Sequence, residues 1–206
     1  MINTLQISSQ EQQRTALLSA CQILLAGGII ALPTDTVYGI AASARNAAAI
    51  DRLFKVKERE ISKSIAVLLG DVSQATIIAK NFSHKAEILA EKFWPGGLTI
   101  IVSKKTDLPP NISSNDKIGL RIPDHPFVRE LIRKTGPLAT TSANLSGQPA
   151  AKTVEEFRSI LGDQLDLIID GGTVTGGIAS TVVDCTVDPV KILREGTISS
   201  EKIFAC

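Results

Sequence analysis

The sequence predicts an α/β fold built on one twisted, open, mixed β-sheet with flanking helices. Three observations carry this expectation. Short apolar, strand-like runs alternate along the chain with stretches whose apolar residues recur at helical spacing. No composition break, low-complexity segment or repeat divides the 206 residues, so residues 1–206 read as a single domain. The last apolar runs follow one another in hairpin fashion, which argues against a purely parallel sheet.

Each element has its own signal. Leu17, Leu18, Cys21, Leu24 and Leu25 recur at helical spacing, and Gly27 and Gly28 supply the stop. "IIAL" (29–32) follows as a short buried strand. Ala47, Ile50, Leu53 and Phe54 mark a second helix, and "IAVLL" (65–69) a second strand. A helix is expected after Ser83, burying Ile88, Leu89 and Phe93. "WPGGLTIIVS" gives a turn and a strand, and "PPN" (109–111) breaks the chain. "KIGLRI" (117–122) is a strand stopped by Pro123, and Asp124 to Arg133 is helical. "PLATT" (137–141) is a strand that runs into "SANLSG". Thr153 and Glu156 form a capping box for the next helix. Strands "LDLIID", "ASTVVD" and "VKILRE" complete the pattern.

Composition narrows the function classes. At 44% hydrophobic and 21% charged the chain can bury a substantial core. A net charge of +1 gives no whole-molecule attraction to nucleic acid and leaves only a local basic patch. No apolar run reaches the roughly 18 residues of a membrane span, and no signal peptide opens the chain. Cys21, Cys185 and Cys206 are too far apart for a disulfide frame or a CxxC site, and with His84 and His125 they make no ordinary zinc site. A reduced, cytoplasmic protein without membrane contact is expected.

Three polar clusters follow strands, where ligands gather in open α/β sheets. They are "PTDTVYG" (33–39), "TSANLSG" (141–147) and "DGGTVTGGIAST" (170–181). Ordinary turn chemistry accounts for any one of them; three in one domain favour a bound anion or small polar molecule. In "KVKEREISKS", Lys55, Lys57, Arg59 and Lys63 follow a predicted helix. They suit either a solvated helix end or a phosphate clamp. Arg121 and Arg194 each end a predicted strand and add weight to an anionic ligand. No P-loop, GxGxxG or GxSxG elbow is present, so any ATP is held without a P-loop. His125, before Pro126 at a helix start, reads as structural.

Taken together, these segments resemble the YrdC-type threonylcarbamoyl-AMP synthases. The residues that carry the resemblance are "PTDTVYGI", Lys57-Glu58-Arg59 with Lys63, and Ser142-Ala143-Asn144. "GLRIPDHP", "ATTSANLSG", "IDGG", "STVVD" and "LREG" match in the same order, over about residues 15 to 200. Ser64 stands where the family usually has a proline, which would restrict Lys63. The resemblance implies a concave cavity in a YrdC-like sheet. It also implies a nucleotidyltransferase that condenses L-threonine, bicarbonate and ATP into threonylcarbamoyl-AMP and pyrophosphate. A separate threonylcarbamoyl transferase complex would then modify tRNA. Some relatives carry a second C-terminal domain, which a chain ending at Cys206 is expected to lack.

The resemblance also implies residue roles. Lys57, Arg59 and Lys63 would act as catalytic cations that neutralise the phosphates of ATP, joined in ATP binding by Ser142, Asn144 and Arg194. Thr34, Thr36, Arg121, Ser142 and Ser180 would hold threonine and its carbamate, with Arg121 on the carboxylate. Mg2+ would travel with ATP, and no metal site of the protein's own is expected. A weak tRNA contact is compatible with this picture. An RNA-binding module, or a carbamoyl-transfer domain of the same fold, is the alternative. Few aromatic residues (4%) count against single-strand recognition.

Overall fold

A computed structural model describes residues 3–58 and 65–206. It has strands β1 (Thr4–Gln6), β2 (Ile30–Leu32), β3 (Gly39–Ser43), β4 (Ala66–Leu68), β5 (Leu98–Ser103), β6 (Lys117–Arg121), β7 (Leu138–Ser142), β8 (Leu167–Asp170), β9 (Thr181–Asp184) and β10 (Lys191–Arg194). The helices are α1 (Gln10–Leu25), α2 (Ala47–Val56), α3 (Ala75–Ile78), α4 (His84–Phe93), α5 (Pro126–Thr135), α6 (Val154–Leu161) and α7 (Ser200–Phe204). The strands form one ten-stranded sheet in the order β1-β8-β2-β3-β7-β4-β6-β5-β9-β10. It is mixed, as expected: β1, β8 and β2 run parallel, β3 and β7 are antiparallel neighbours, and β9–β10 is a terminal antiparallel pair.

The two faces of the sheet are covered differently. One packs against α2, α4 and α6 through a large core that includes Leu53, Phe54, Leu89 and Phe157. The other packs against α1 and α5, through Ala16, Ala20, Leu24, Phe127, Leu131 and Ile132. Side chains alternate between faces along each strand. Leu138, Thr140 and Ser142 of β7 therefore share the α1–α5 face with Leu68 of β4 and Arg121 of β6. Leu138 and Leu68 lie in the core under α1 and α5. Farther along, the same face changes character. Register places Thr140 beside Ala66, Ala66 beside Gly119, and Gly119 beside Ile101. Small and hydroxyl side chains cannot reach a covering helix, so this part of the sheet stays concave.

Three expectations need correction. Helix α1 turns inward a face of Ala16, Ala20 and Leu24, while Leu18 and Leu25 are exposed. The small alanines allow close packing that the leucine count does not reveal. No capping box forms at α6: the Thr153 side chain accepts no N–H of the helix, and Glu156 accepts the Lys152 backbone N–H at 2.6 Å. The capping box sits at α1, where Ser9 accepts from Gln12 N and Gln12 Oε1 accepts the Ser9 N–H. Ser9→Ala is expected to lower stability by about 1 kcal/mol, read as a melting point lower by about 2–4 °C. Finally, Phe93 and Ile88 are only partly buried, and Ala86, Leu89 and Ala90 are the inward residues of α4.

Candidate active site

The uncovered part of the α1–α5 face forms a cavity of about 270 Å3. Its floor is the row Thr140, Ala66, Gly119 and Ile101; a Cβ at Gly119 would stand 2.9 Å from Thr99 Cγ2. Thr34, Thr36, Arg121, Ser142, Ser180 and Arg194 line its walls. Six of the predicted site residues therefore meet at one cavity. Arg59 and Lys63 lie outside the described residues.

The three polar clusters converge on Tyr38, which is fully buried. Its carbonyl accepts the Ala143 N–H at 2.8 Å, joining the first cluster to the second. Its hydroxyl donates to Gly172 O at 2.8 Å and accepts from Gly171 N at 3.0 Å, joining the first cluster to the third. The third cluster then lies over the first: Gly177 N donates to Thr36 O at 2.7 Å. At Gly176 a Cβ would sit 2.3 Å from Asp35 O, so this approach requires glycine.

Burial and the charge of Asp170 push the Tyr38 phenol up to about 12, against the opposing Gly171 hydrogen bond. Tyr38 is the chain's one tyrosine, so phenolate absorbance reports it alone. The native protein is expected to ionise near pH 12, and the unfolded chain near about 10. The neutral form is favoured by folding, so this stabilisation is complete below the unfolded value and lost as pH rises through the folded one. An absorbance titration with and without denaturant checks this.

The walls are organised by cations. Arg121 is 6% exposed. Its Nε donates to Gly96 O at 2.9 Å, Nη1 to Thr36 Oγ1 at 2.8 Å and Nη2 to Asp35 Oδ1 at 2.6 Å. Across the cavity Arg194 donates from Nε to Ser180 O at 3.0 Å and from Nη2 to Ser180 Oγ at 3.2 Å, and Ser180 Oγ lies 2.8 Å from Thr99 Oγ1. Burial lowers the Arg121 pKa; Asp35 opposes that shift and the Arg194 charge adds to it. Burial also lowers that of Arg194. Both remain cations, since arginine ordinarily titrates above about 12. The described lining holds these two charges and no carboxylate, which makes the cavity attractive to an anion.

Lys57 and Asn144 adjoin the cavity through Ser142. Lys57, at the C-cap of α2, is 1% exposed. Its ammonium donates to Ser142 O at 2.5 Å, Ser142 Oγ at 3.0 Å and Asn144 Oδ1 at 2.6 Å. It thus ties the end of β7 to α2. Lys55 is exposed, as a solvated helix end would be. Thr34 lines the cavity, but its hydroxyl is also engaged in the turn: it donates to Val37 O and accepts from the N–H groups of Thr36 and Val37.

Sequence reasoning did not single out Asp35, Thr99, Thr140, Ala66 or Gly119. Glycine inside a strand was the available signal, because it marks a close approach of backbone or ligand.

The comparisons with known proteins bear on the family and the fold. The Sua5/YciO/YrdC family pattern, described as "Telomere recombination", matches residues 22–196. The threonylcarbamoyl-AMP synthase of Bacillus subtilis is 37% identical over 90% of this chain and 55% of its own length. The human threonylcarbamoyl-AMP synthase is 39% identical over 88% of this chain and 67% of its own. The crystal structure of P. abyssi Sua5 complexed with L-threonine superposes with a TM-score of 0.91 at 31% identity, covering all of this chain and 60% of that one. The chain therefore spans little more than half the length of the Bacillus and P. abyssi proteins.

Proposed function

We propose, from the premise that this chain belongs to the Sua5/YciO/YrdC family, that it is an L-threonylcarbamoyladenylate synthase. The observation that carries the proposal is the cavity itself. Two cations and several hydroxyls face one half-open cavity, with no carboxylate among the described lining residues, at the meeting point of the three polar clusters. Its 270 Å3 fall just below the usual range of ligand sites, about 300 to 1,000 Å3. That suits an enclosed amino acid with a nucleotide laid across the mouth.

In this function Arg121 takes the threonine carboxylate, and Thr36 and Ser142 bond the polar groups of the substrate. The neutral amine adds to bicarbonate-derived CO2 to form a carbamate. A carbamate oxygen then attacks the α-phosphorus of ATP, and pyrophosphate leaves. Such a displacement needs positioning and charge neutralisation more than a strong base. Arg194, with Ser180 behind it, faces the departing phosphates; Arg59 and Lys63 are assigned the same task from the sequence. Lys57 holds Ser142 and Asn144 where the nucleotide meets the carbamate. Mg2+ enters as part of the ATP substrate, held by phosphate oxygens and water. Among the described residues no group of three or more His, Cys, Asp or Glu could hold a metal.

The proposal extends to one catalytic unit over residues 1–206, a cytoplasmic location, and a transferase complex that takes the product to tRNA. Among the described residues no helix is long and apolar enough to cross a membrane.

The test is product identification. The protein with ATP, Mg2+, labelled bicarbonate and L-threonine is expected to yield an AMP-linked product carrying both the label and threonine. Serine, lacking one methyl, is expected to be a poorer substrate by about 10- to 150-fold at most. A labelled product of the same yield without any amino acid would remove the proposal.

A further inference from the structure

Arg121 can meet an anion only as well as its guanidinium plane is fixed, and of the three groups that hold it Asp35 is the one charged side chain. Asp35 is adjacent to two lining threonines, yet its own side chain is not part of the lining. Its Oδ1 accepts from Arg121 Nη2 at 2.6 Å and from the backbone N–H of Asp124 at 3.1 Å. The second bond anchors the carboxylate to the chain just before α5. The first then joins Gly96 O and Thr36 Oγ1 in holding the arginine at three of its nitrogens. A guanidinium carries five N–H donors, so N–H groups remain on both terminal nitrogens for a ligand. Planar, bidentate recognition of a carboxylate depends on the angle of that fork.

We infer that Asp35 is a positioning residue for substrate recognition: anchored by the Asp124 N–H, its carboxylate sets the plane in which Arg121 meets the carboxylate of the amino-acid substrate. This rests on threonine being the substrate. Asp35 touches no ligand itself. Its negative charge partly offsets Arg121, so its contribution is orientation and not attraction; charge alone would make its removal favourable to an anion. Asparagine keeps an oxygen acceptor at the same place, and glutamate keeps the charge but moves the oxygens by one methylene.

The test compares L-threonine with L-threoninamide, which lacks the carboxylate charge, by kcat/KM for pyrophosphate release in the wild type, Asp35→Ala, Asp35→Asn and Asp35→Glu. The wild type is expected to prefer threonine. The preference should fall by about tenfold or more in Asp35→Ala and Asp35→Glu, since a charge-assisted fork loses its geometry, and Asp35→Asn should restore most of it. A general loss of folding lowers both substrates together and leaves the ratio unmoved. If Asp35→Ala does not fold, Asp35→Glu against Asp35→Asn gives the same comparison. An unchanged ratio in the Ala and Glu variants overturns the inference while the synthase assignment stands. A wild type with threonine-dependent turnover but no preference for the carboxylate overturns it as well. A wild type without threonine-dependent turnover removes both.

Discussion

Arg121→Lys is expected to raise KM for L-threonine and lower kcat/KM for it, with KM for ATP close to wild type. The loss should be about 10- to 150-fold, corresponding to about 1.5–3 kcal/mol for a charge-assisted hydrogen bond. Lysine keeps the positive charge. It cannot, however, reach Gly96 O, Thr36 Oγ1 and Asp35 Oδ1 from three fixed nitrogens, as Arg121 does. The ammonium would settle on Asp35 and leave the substrate carboxylate a single, poorly directed donor. Steady-state kinetics with each substrate varied in turn separate the two constants. Equal rises in both KM values would mean that Arg121 shapes the whole cavity and does not meet one substrate.

The second large effect is expected at Lys57, and it differs in kind. Lys57→Met keeps an unbranched side chain, one heavy atom shorter, but removes the donor to Ser142 O, Ser142 Oγ and Asn144 Oδ1. A buried acceptor left without a partner costs about 1–3 kcal/mol; Ser142 and Asn144 are half-buried, so water replaces part of each loss. Allowing for partial relaxation, about 3 kcal/mol would be lost, or about 6–12 °C in melting point for a chain of this size. Turnover should fall by about a hundredfold, because Ser142 and Asn144 lose their fixed positions and misplacement by about 1 Å has that effect. A cation that acted only through space on a phosphate would lose activity and keep its stability. A melting curve beside the kinetics tells the two roles apart.

These two residues also show how far the sequence could be read. Most elements were legible because they carry periodic apolar residues and clear stops, as α2 does between Asn46 and Lys57. Strand β3 was not, since "GIAAS" follows a turn and is made of small residues with weak strand preference. It is buried by its neighbours β2 and β7, a tertiary effect with no local signature. The walls of the site were legible as hydroxyls and arginines after strands. The contacts that organise them were not, because they join distant positions: Arg121 to Asp35 across 86 residues, and Lys57 to Asn144 across 87. The place of Lys57 at a helix end left a solvated charge and a phosphate clamp both open, and the resemblance favoured the clamp. The sequence did not show that its ammonium bonds two oxygens of Ser142 and one of Asn144. Tyr38 stood in the sequence only as part of the first cluster; the fold shows that all three clusters hang on it.

The most direct measurement of the central claim is an omission series of pyrophosphate release. The protein is incubated with ATP and Mg2+ together with bicarbonate and L-threonine, and each of these two is then left out in turn. The cavity geometry predicts release only when both are present, with Arg121→Lys impaired at limiting threonine and recovering as threonine is raised. Release that continues undiminished without threonine, or without bicarbonate, would contradict the assignment of the cavity to carbamate formation and adenylation.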